Sequence, residues 1–190
     1  MTKGKKITIF LADGLPKGIR KAKIDQWNGK AVCSPRNRLK ELLAVREICD
    51  AVSVYFLIGE AEDGGLMTVY VGEADGFKNR INSHNSQRTQ WKDVVVFYGE
   101  DLTKASIKYL ETVCIERLKK AGRCILENAN SPAKPTIPEE DISGLEIFYE
   151  NIALIMPLFG YDIFVQEEIL TRDKGEILVC PGKGVKAEGM

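Results

Sequence analysis

Val52-Ser53-Val54-Tyr55-Phe56-Leu57-Ile58 and Met67-Thr68-Val69-Tyr70-Val71 are two apolar runs rich in β-branched and aromatic residues, separated by a glycine- and acid-rich stretch at residues 59–65. Runs of this length and composition predict strands, and the stretch between them predicts a hairpin turn. Side chains alternate along a strand, so Tyr70 leaves the face opposite Met67, Val69 and Val71. Tyr55 likewise lies opposite Val52, Val54 and Phe56, and the hairpin brings both phenols onto one surface. Asp75-Gly76 then opens a short helix in which Phe77 and Ile81 share a face. Val94-Val95-Val96-Phe97-Tyr98 predicts a third strand, and Thr103 caps a long helix that reaches about Gly122. The resulting class is α+β, a β-β-α-β-α core on a small antiparallel sheet.

The flanks read differently. Residues 6–12 predict a strand, residues 13–18 a turn, and residues 19–27 a second extended segment. Ser34-Pro35 reads as a helix start, serine as N-cap and proline at the first helical position, continued by Leu39, Leu42, Leu43 and Arg46. Residues 1–49 are thus expected to form a basic extension, a β-hairpin followed by a helix. After the core over residues 50–130 comes a proline-rich linker at residues 130–138. A helix over residues 141–156 follows, with Leu145, Phe148, Ile152 and Ile155 on one face, then one or two short strands. The glycine-rich ending carries no stop signal, which leaves room for the chain to continue past Met190.

Hydrophobic content of 44% and charged content of 28% are ordinary for a globular protein. No apolar run approaches the roughly 18 residues of a spanning helix, and the apolar stretch after the basic N-terminus is too short for a signal peptide. Five cysteines occur without a CxxC pair, beside a single histidine. That count points to reduced, mostly buried thiols and a cytoplasmic location, while the lack of a long apolar run points to no membrane association. Net charge is zero over the chain, but residues 1–46 hold 12 Lys/Arg against 3 Asp/Glu, and residues 131–190 hold 5 against 11. The basic third is a candidate phosphate-backbone footprint, although a solvated face is the commoner meaning of such a run.

Glu111 carries the sharpest single-residue signal. On a helical wheel Leu118, Ile107, Cys114, Leu110 and Ala121 form one apolar stripe, with Ile115 at its edge, and Glu111 falls inside it. A carboxylate there is costly unless it is paired, hydrogen-bonded or metal-bound. A helix-shoulder glutamate paired with Lys or Arg is the plain alternative. Arg80 and His84, at i and i+4, share one face of the short helix. A guanidinium grips phosphate oxygens bidentately, and an imidazole bonds a phosphate or relays a proton. Taken singly, strand tyrosines and a lone histidine are more often structural than chemical.

Taken together, these residues resemble the GIY-YIG nuclease family. Val54-Tyr55 resembles its first motif, with Ser53 where the family has glycine. In the stretch from Val69 to His84, Tyr70 and Gly72 correspond to the second motif, and Arg80 to the arginine ten residues on. His84 matches a position that is often histidine or tyrosine, and Tyr109-Leu110-Glu111 resembles the helix bearing the metal-binding glutamate. Asn128, with Asn130 nearly equivalent, stands where the family often has asparagine. The likeness covers about residues 50–130, and its tyrosine-to-arginine spacing is its most specific part.

The resemblance implies hydrolysis of phosphodiester bonds in DNA with one Mg²⁺ or Mn²⁺. Glu111 would hold the metal, Arg80 would neutralise the transferring phosphoryl group, and Tyr55 or Tyr70 would activate water with His84 beside them; family analogy favours Tyr70. Gly72, Lys78, Lys104, Lys108, Asn128, Arg20, Lys21 and Lys23 would contact substrate, and a homodimer would serve double-strand cleavage. Two other readings fit the same residues: a non-catalytic nucleic-acid-binding or scaffold module, and an enzyme acting on small phosphorylated substrates.

Overall fold

The computed structural model describes residues 4–60, 65–87, 90–128, 132–165, 179–182 and 185–188. In chain order these form β1 (Ile7–Leu11), β2 (Arg20–Ile24), β3 (Gly29–Pro35), a 3-10 turn (Arg36–Arg38), α1 (Leu39–Leu42), α2 (Arg46–Cys49) and β4 (Val52–Gly59). There follow β5 (Thr68–Asp75), α3 (Phe77–Gln87), β6 (Trp91–Gly99), α4 (Lys104–Ala121), β7 (Ile125–Leu126), α5 (Glu139–Leu158), β8 (Val179–Gly182) and β9 (Val185–Glu188). Among the described residues, seven strands make one sheet in the order β1-β2-β3-β6-β4-β5-β7, antiparallel throughout except for β5 and β7; β8 and β9 form a separate antiparallel pair. The molecule is therefore mixed α+β, as its sequence implies, with a larger sheet than the hairpin pattern suggests.

The extra width comes from β3. Ser34-Pro35 does not start a helix: both residues lie in β3, with Ser34 opposite Val94 and Pro35 opposite Asp93 of β6. Proline at a strand end gives up a donor the ladder there does not need, so the same dipeptide suits a strand stop and a helix start. Ala31, Val32, Cys33 and Ser34 are all buried between β2 and β6, and the helical residues that follow are two single turns rather than one helix.

Two apolar layers sandwich the sheet. On one face Val54, Phe56, Val69, Val71, Val95 and Phe97 pack against α4 and α5. On the other, Tyr55, Leu57, Val94 and Val96 pack under Leu42, Ile48, Phe77 and Ile81 from α1, α2 and α3. This two-sided burial explains why β4 and β6 read as continuous apolar runs. Thr103 caps α4 by accepting a hydrogen bond from Ser106 N–H at 3.2 Å, and Gly122 closes it in the left-handed region at φ 65°. Cys33, Cys49 and Cys114 are buried free thiols and Cys124 is half-buried. No helix among the described residues is long and apolar enough to cross a membrane.

Candidate functional site

Tyr55 sits directly across the β4–β5 ladder from Gly72. A Cβ built on Gly72 would lie 2.3 Å from the Tyr55 hydroxyl, so the ring occupies the space that any side chain at position 72 would need. Gly72 thus makes room for a tyrosine as well as shaping the strand. Tyr55 meets Tyr70, Phe77 and His84 at ring-centroid distances of 6.3, 5.7 and 5.8 Å, and Tyr70 meets His84 at 5.0 Å. The alternation expected from sequence holds: both tyrosines are on one face, Tyr55 wholly buried and Tyr70 half-buried. Burial, then Tyr70, drives the Tyr55 phenol well above its ordinary pKa. The Arg80 guanidinium offsets part of this without closing a hydrogen bond of ordinary geometry.

Arg80 reaches this cluster from α3, on the tyrosine face, whereas Glu111 stands on α4, on the other face. Arg80 nevertheless lowers the Glu111 carboxyl electrostatically from across the sheet, and the outer edge of β5 between the two helices is only partly covered. Strand β7 pairs with Thr68 and Val69 alone. The Asn128 side chain then continues the ladder by one residue, accepting from Val71 N–H at 2.9 Å and donating to Val71 C=O at 2.8 Å. From Gly72 onward no strand lies outside β5 among the described residues.

Glu111 is half-buried, and its carboxyl is pushed up to about 7, by burial first and by the Glu73 carboxylate second; Arg80 and Lys108 pull the other way. Among the described residues no hydrogen bond or ion pair compensates its burial, so the helix-shoulder pairing with a Lys or Arg does not occur there. Glu73, which sequence reasoning missed, follows Gly72 on β5. Its signal was present in the alternation, since Val69, Val71 and residue 73 all face α4.

The other expected contacts divide. Lys78 and Lys108 are exposed on α3 and α4, Lys108 one turn before Glu111; Lys104 is exposed but ion-paired with Asp75 at 2.6 Å. Asn128 holds the edge of β5, and Asn130 lies outside the described residues. Lys21 and Lys23 share the tyrosine face, being paired with Val32 and Lys30, but three strand spacings, about 14 Å, separate β2 from β4. Arg20 corrects the expectation that the three act as one patch. It lies opposite Cys33 on the reverse face, donating to Phe159 C=O and Cys33 Sγ at 2.9 Å each, with its guanidinium over the Phe159 ring. Much of the remaining basic charge is locally matched, in Lys6–Asp25, Lys30–Glu47, Arg38–Glu41 and Arg46–Asp50.

A metal would find two carboxylates, Glu111 and Glu73, and no group of three His, Cys, Asp or Glu among the described residues. That donor set is too sparse for a structural zinc centre. It fits a hard cation of the Mg²⁺ kind, which binds through one or two carboxylates and keeps its remaining waters. Comparison with protein-family models, with curated proteins and with solved structures finds no match.

Proposed function

We propose that the chain is a divalent-metal-dependent endonuclease that hydrolyses phosphodiester bonds in DNA, built on a GIY-YIG-type core over residues 50–130. What carries the reading is Glu111, a half-buried carboxylate without a compensating protein partner, electrostatically coupled to Arg80 and Tyr55 beside Gly72. The element order β4-β5-α3-β6-α4 and the pairing of the two motif strands support the same core.

Glu111 is the residue to hold Mg²⁺ or Mn²⁺, with Glu73 the nearest further carboxylate. A bound cation would polarise a phosphate oxygen and stabilise the leaving alkoxide. Arg80 neutralises charge on the transferring phosphoryl group. Of the two phenols, Tyr70 is the one a water can reach, because Tyr55 has no exposed surface. Tyr70 orients the attacking water, and Tyr55 packs beneath it, fixing Tyr70 and His84 through ring contacts. DNA approaches along the open outer edge of β5, where Lys78 and Lys108 supply exposed positive charge from either side.

The rival reading, a DNA-binding or scaffold module without turnover, draws on Ser53, which stands in place of the family's glycine and is buried with its hydroxyl unpartnered. A nicking assay on supercoiled DNA separates the two. Cleavage is expected with Mg²⁺ or Mn²⁺ and none with EDTA. Arg80→Ala should lower turnover about 10²-fold or more while weakening DNA affinity only a few-fold. Metal-independent DNA binding with no cleavage would instead establish the scaffold, and hydrolysis confined to small phosphodiesters would move the substrate class.

A further inference from the structure

Helix α3 is held at its far end by a residue from outside the 50–130 core, and that hold bears on the candidate site. Phe77, Ile81 and His84 are the buried residues of α3; after them Asn85, Ser86 and Gln87 are polar and exposed. A helix of eleven residues has little stability of its own, so its place depends on what packs against it. Phe77 and Ile81 anchor its first two turns in the apolar layer beneath β4 and β6. The last carbonyls of a helix have no donor within it and need a partner from elsewhere.

Arg36 supplies one. Pro35 lies opposite Asp93 at the end of the β3–β6 ladder, so the 3-10 turn that follows β3 emerges beside Trp91 at the start of β6. From there Arg36 Nε donates to Asn85 Oδ1 at 2.9 Å and Nη2 donates to Asn85 C=O at 3.1 Å. The guanidinium carbon lies 4.8 Å from the centroid of the Trp91 ring, which is itself buried. A cation from another segment thus caps the C-terminus of α3, where it also meets the negative end of the helix dipole. Two bonds to one residue and a flat contact with an indole use the fork and the plane of arginine, which lysine cannot reproduce.

Asn85 directly follows His84. The His84 ring lies 5.0 Å from Tyr70 and 5.8 Å from Tyr55, and Arg80 stands one turn earlier on α3. The clamp therefore acts next to the point where α3 meets both tyrosines, at the end of the helix that would otherwise fray.

We propose that Arg36 is a positioning residue of the candidate site: by clamping Asn85 it holds His84 against Tyr70, the phenol that orients the attacking water. The effect on turnover rests on the nuclease reading, whereas the hold on His84 does not. Arg36 belongs to the basic third of the sequence, and its work there is to fix α3 rather than to meet phosphate.

His84 is the single histidine of the chain, so its imidazole proton resonances are unambiguous, and the tyrosine rings beside it displace them from the positions of an unfolded chain. Arg36→Lys keeps the charge and breaks the fork. In EDTA its His84 resonances should move toward the unfolded-chain positions while far-UV circular dichroism stays that of the native chain. Asn85→Ala, at an exposed site where alanine favours the helix, removes one acceptor and should move them the same way by a smaller amount. In steady-state cleavage Arg36→Lys should lower kcat about tenfold or more and change KM less than about twofold. Combined with Asn85→Ala, the loss should be smaller than the product of the two, since both break one clamp. Should Arg36→Lys lose its native circular dichroism, Asn85→Ala carries the same two readings. Unmoved His84 resonances overturn the proposal. So does a native kcat in a variant whose resonances have moved, and so does a loss confined to KM, which would make Arg36 a docking residue for DNA. If the native chain cuts no DNA with Mg²⁺ or Mn²⁺, the nuclease reading fails instead, and the resonances alone decide whether Arg36 holds His84.

Discussion

A carboxyl held half-buried beside a second carboxylate ionises late, and Glu111 is in that position, with its pKa pushed up to about 7 by burial and by Glu73. Between the ordinary carboxylate range and about 7 the unfolded chain has released this proton and the metal-free folded chain has not. The Glu111 contribution to stability is therefore fully present below that window, declines as pH rises through it, and levels off above it. Glu111→Gln removes the titration. In EDTA its melting temperature should match the native chain near pH 4 and exceed it at pH 8, and Mn²⁺ should stabilise the native chain alone. A variant that still gains stability from Mn²⁺ would take Glu111 out of the metal site. The tyrosines divide by exposure. Tyr55→Phe deletes a hydroxyl without a hydrogen bond of ordinary geometry, so stability should hold or rise and turnover should fall less than tenfold. Tyr70→Phe, at the half-buried ring, should lower kcat by about 10²-fold or more in single-turnover kinetics.

At the scale of elements, the outer edge of β5 lies between the helices that carry Arg80 and Glu111. Asn128 bonds both backbone groups of Val71, and Asn128→Ala should cost about 1–3 kcal/mol by leaving them unpaired. Its kcat should fall as well, because Val71 adjoins Gly72 and the edge would lose its register; an unchanged kcat in the destabilised variant would confine Asn128 to folding. The sequence made the motif hairpin legible because two-residue alternation needs no long-range information, and Tyr55 and Tyr70 do share a face. The α4 stripe was equally legible, with Thr103 and Gly122 marking its ends. What escaped was pairing between distant segments. Ala31-Val32-Cys33 has too little alternation to announce a strand, and only its burial between β2 and β6 makes it one. Alternation did place Glu73 on the face of Val69 and Val71, but its meaning depends on α4, a distant segment, covering that side of β5.

Across the whole molecule, the sheet's two faces sort the basic N-terminal charge into groups with different work. Lys21 and Lys23 project on the tyrosine face, Arg20 is committed to Phe159 and Cys33 on the reverse, and several other basic residues pair with local acids. Charge counting over residues 1–46 therefore overstates what DNA can meet. If the duplex lies across the tyrosine face, Lys21 and Lys23 each contact one phosphate, and each contact adds about −0.9 to the slope of log affinity against log salt. Replacing both by Gln should flatten the slope by up to about 1.8 and weaken binding evenly across DNA sequences, with little change in melting temperature. Arg20→Gln should do the reverse. Its slope should stay within error of the native chain, while stability falls by about 1–3 kcal/mol, because the carbonyl of Phe159 and the ring above it lose their cation. Titrations between 50 and 200 mM salt would read both effects together. A slope unmoved by the lysine pair would place the duplex on the β5 edge alone, with Lys78 and Lys108 as its anchors and the N-terminal strands serving the sheet rather than the substrate.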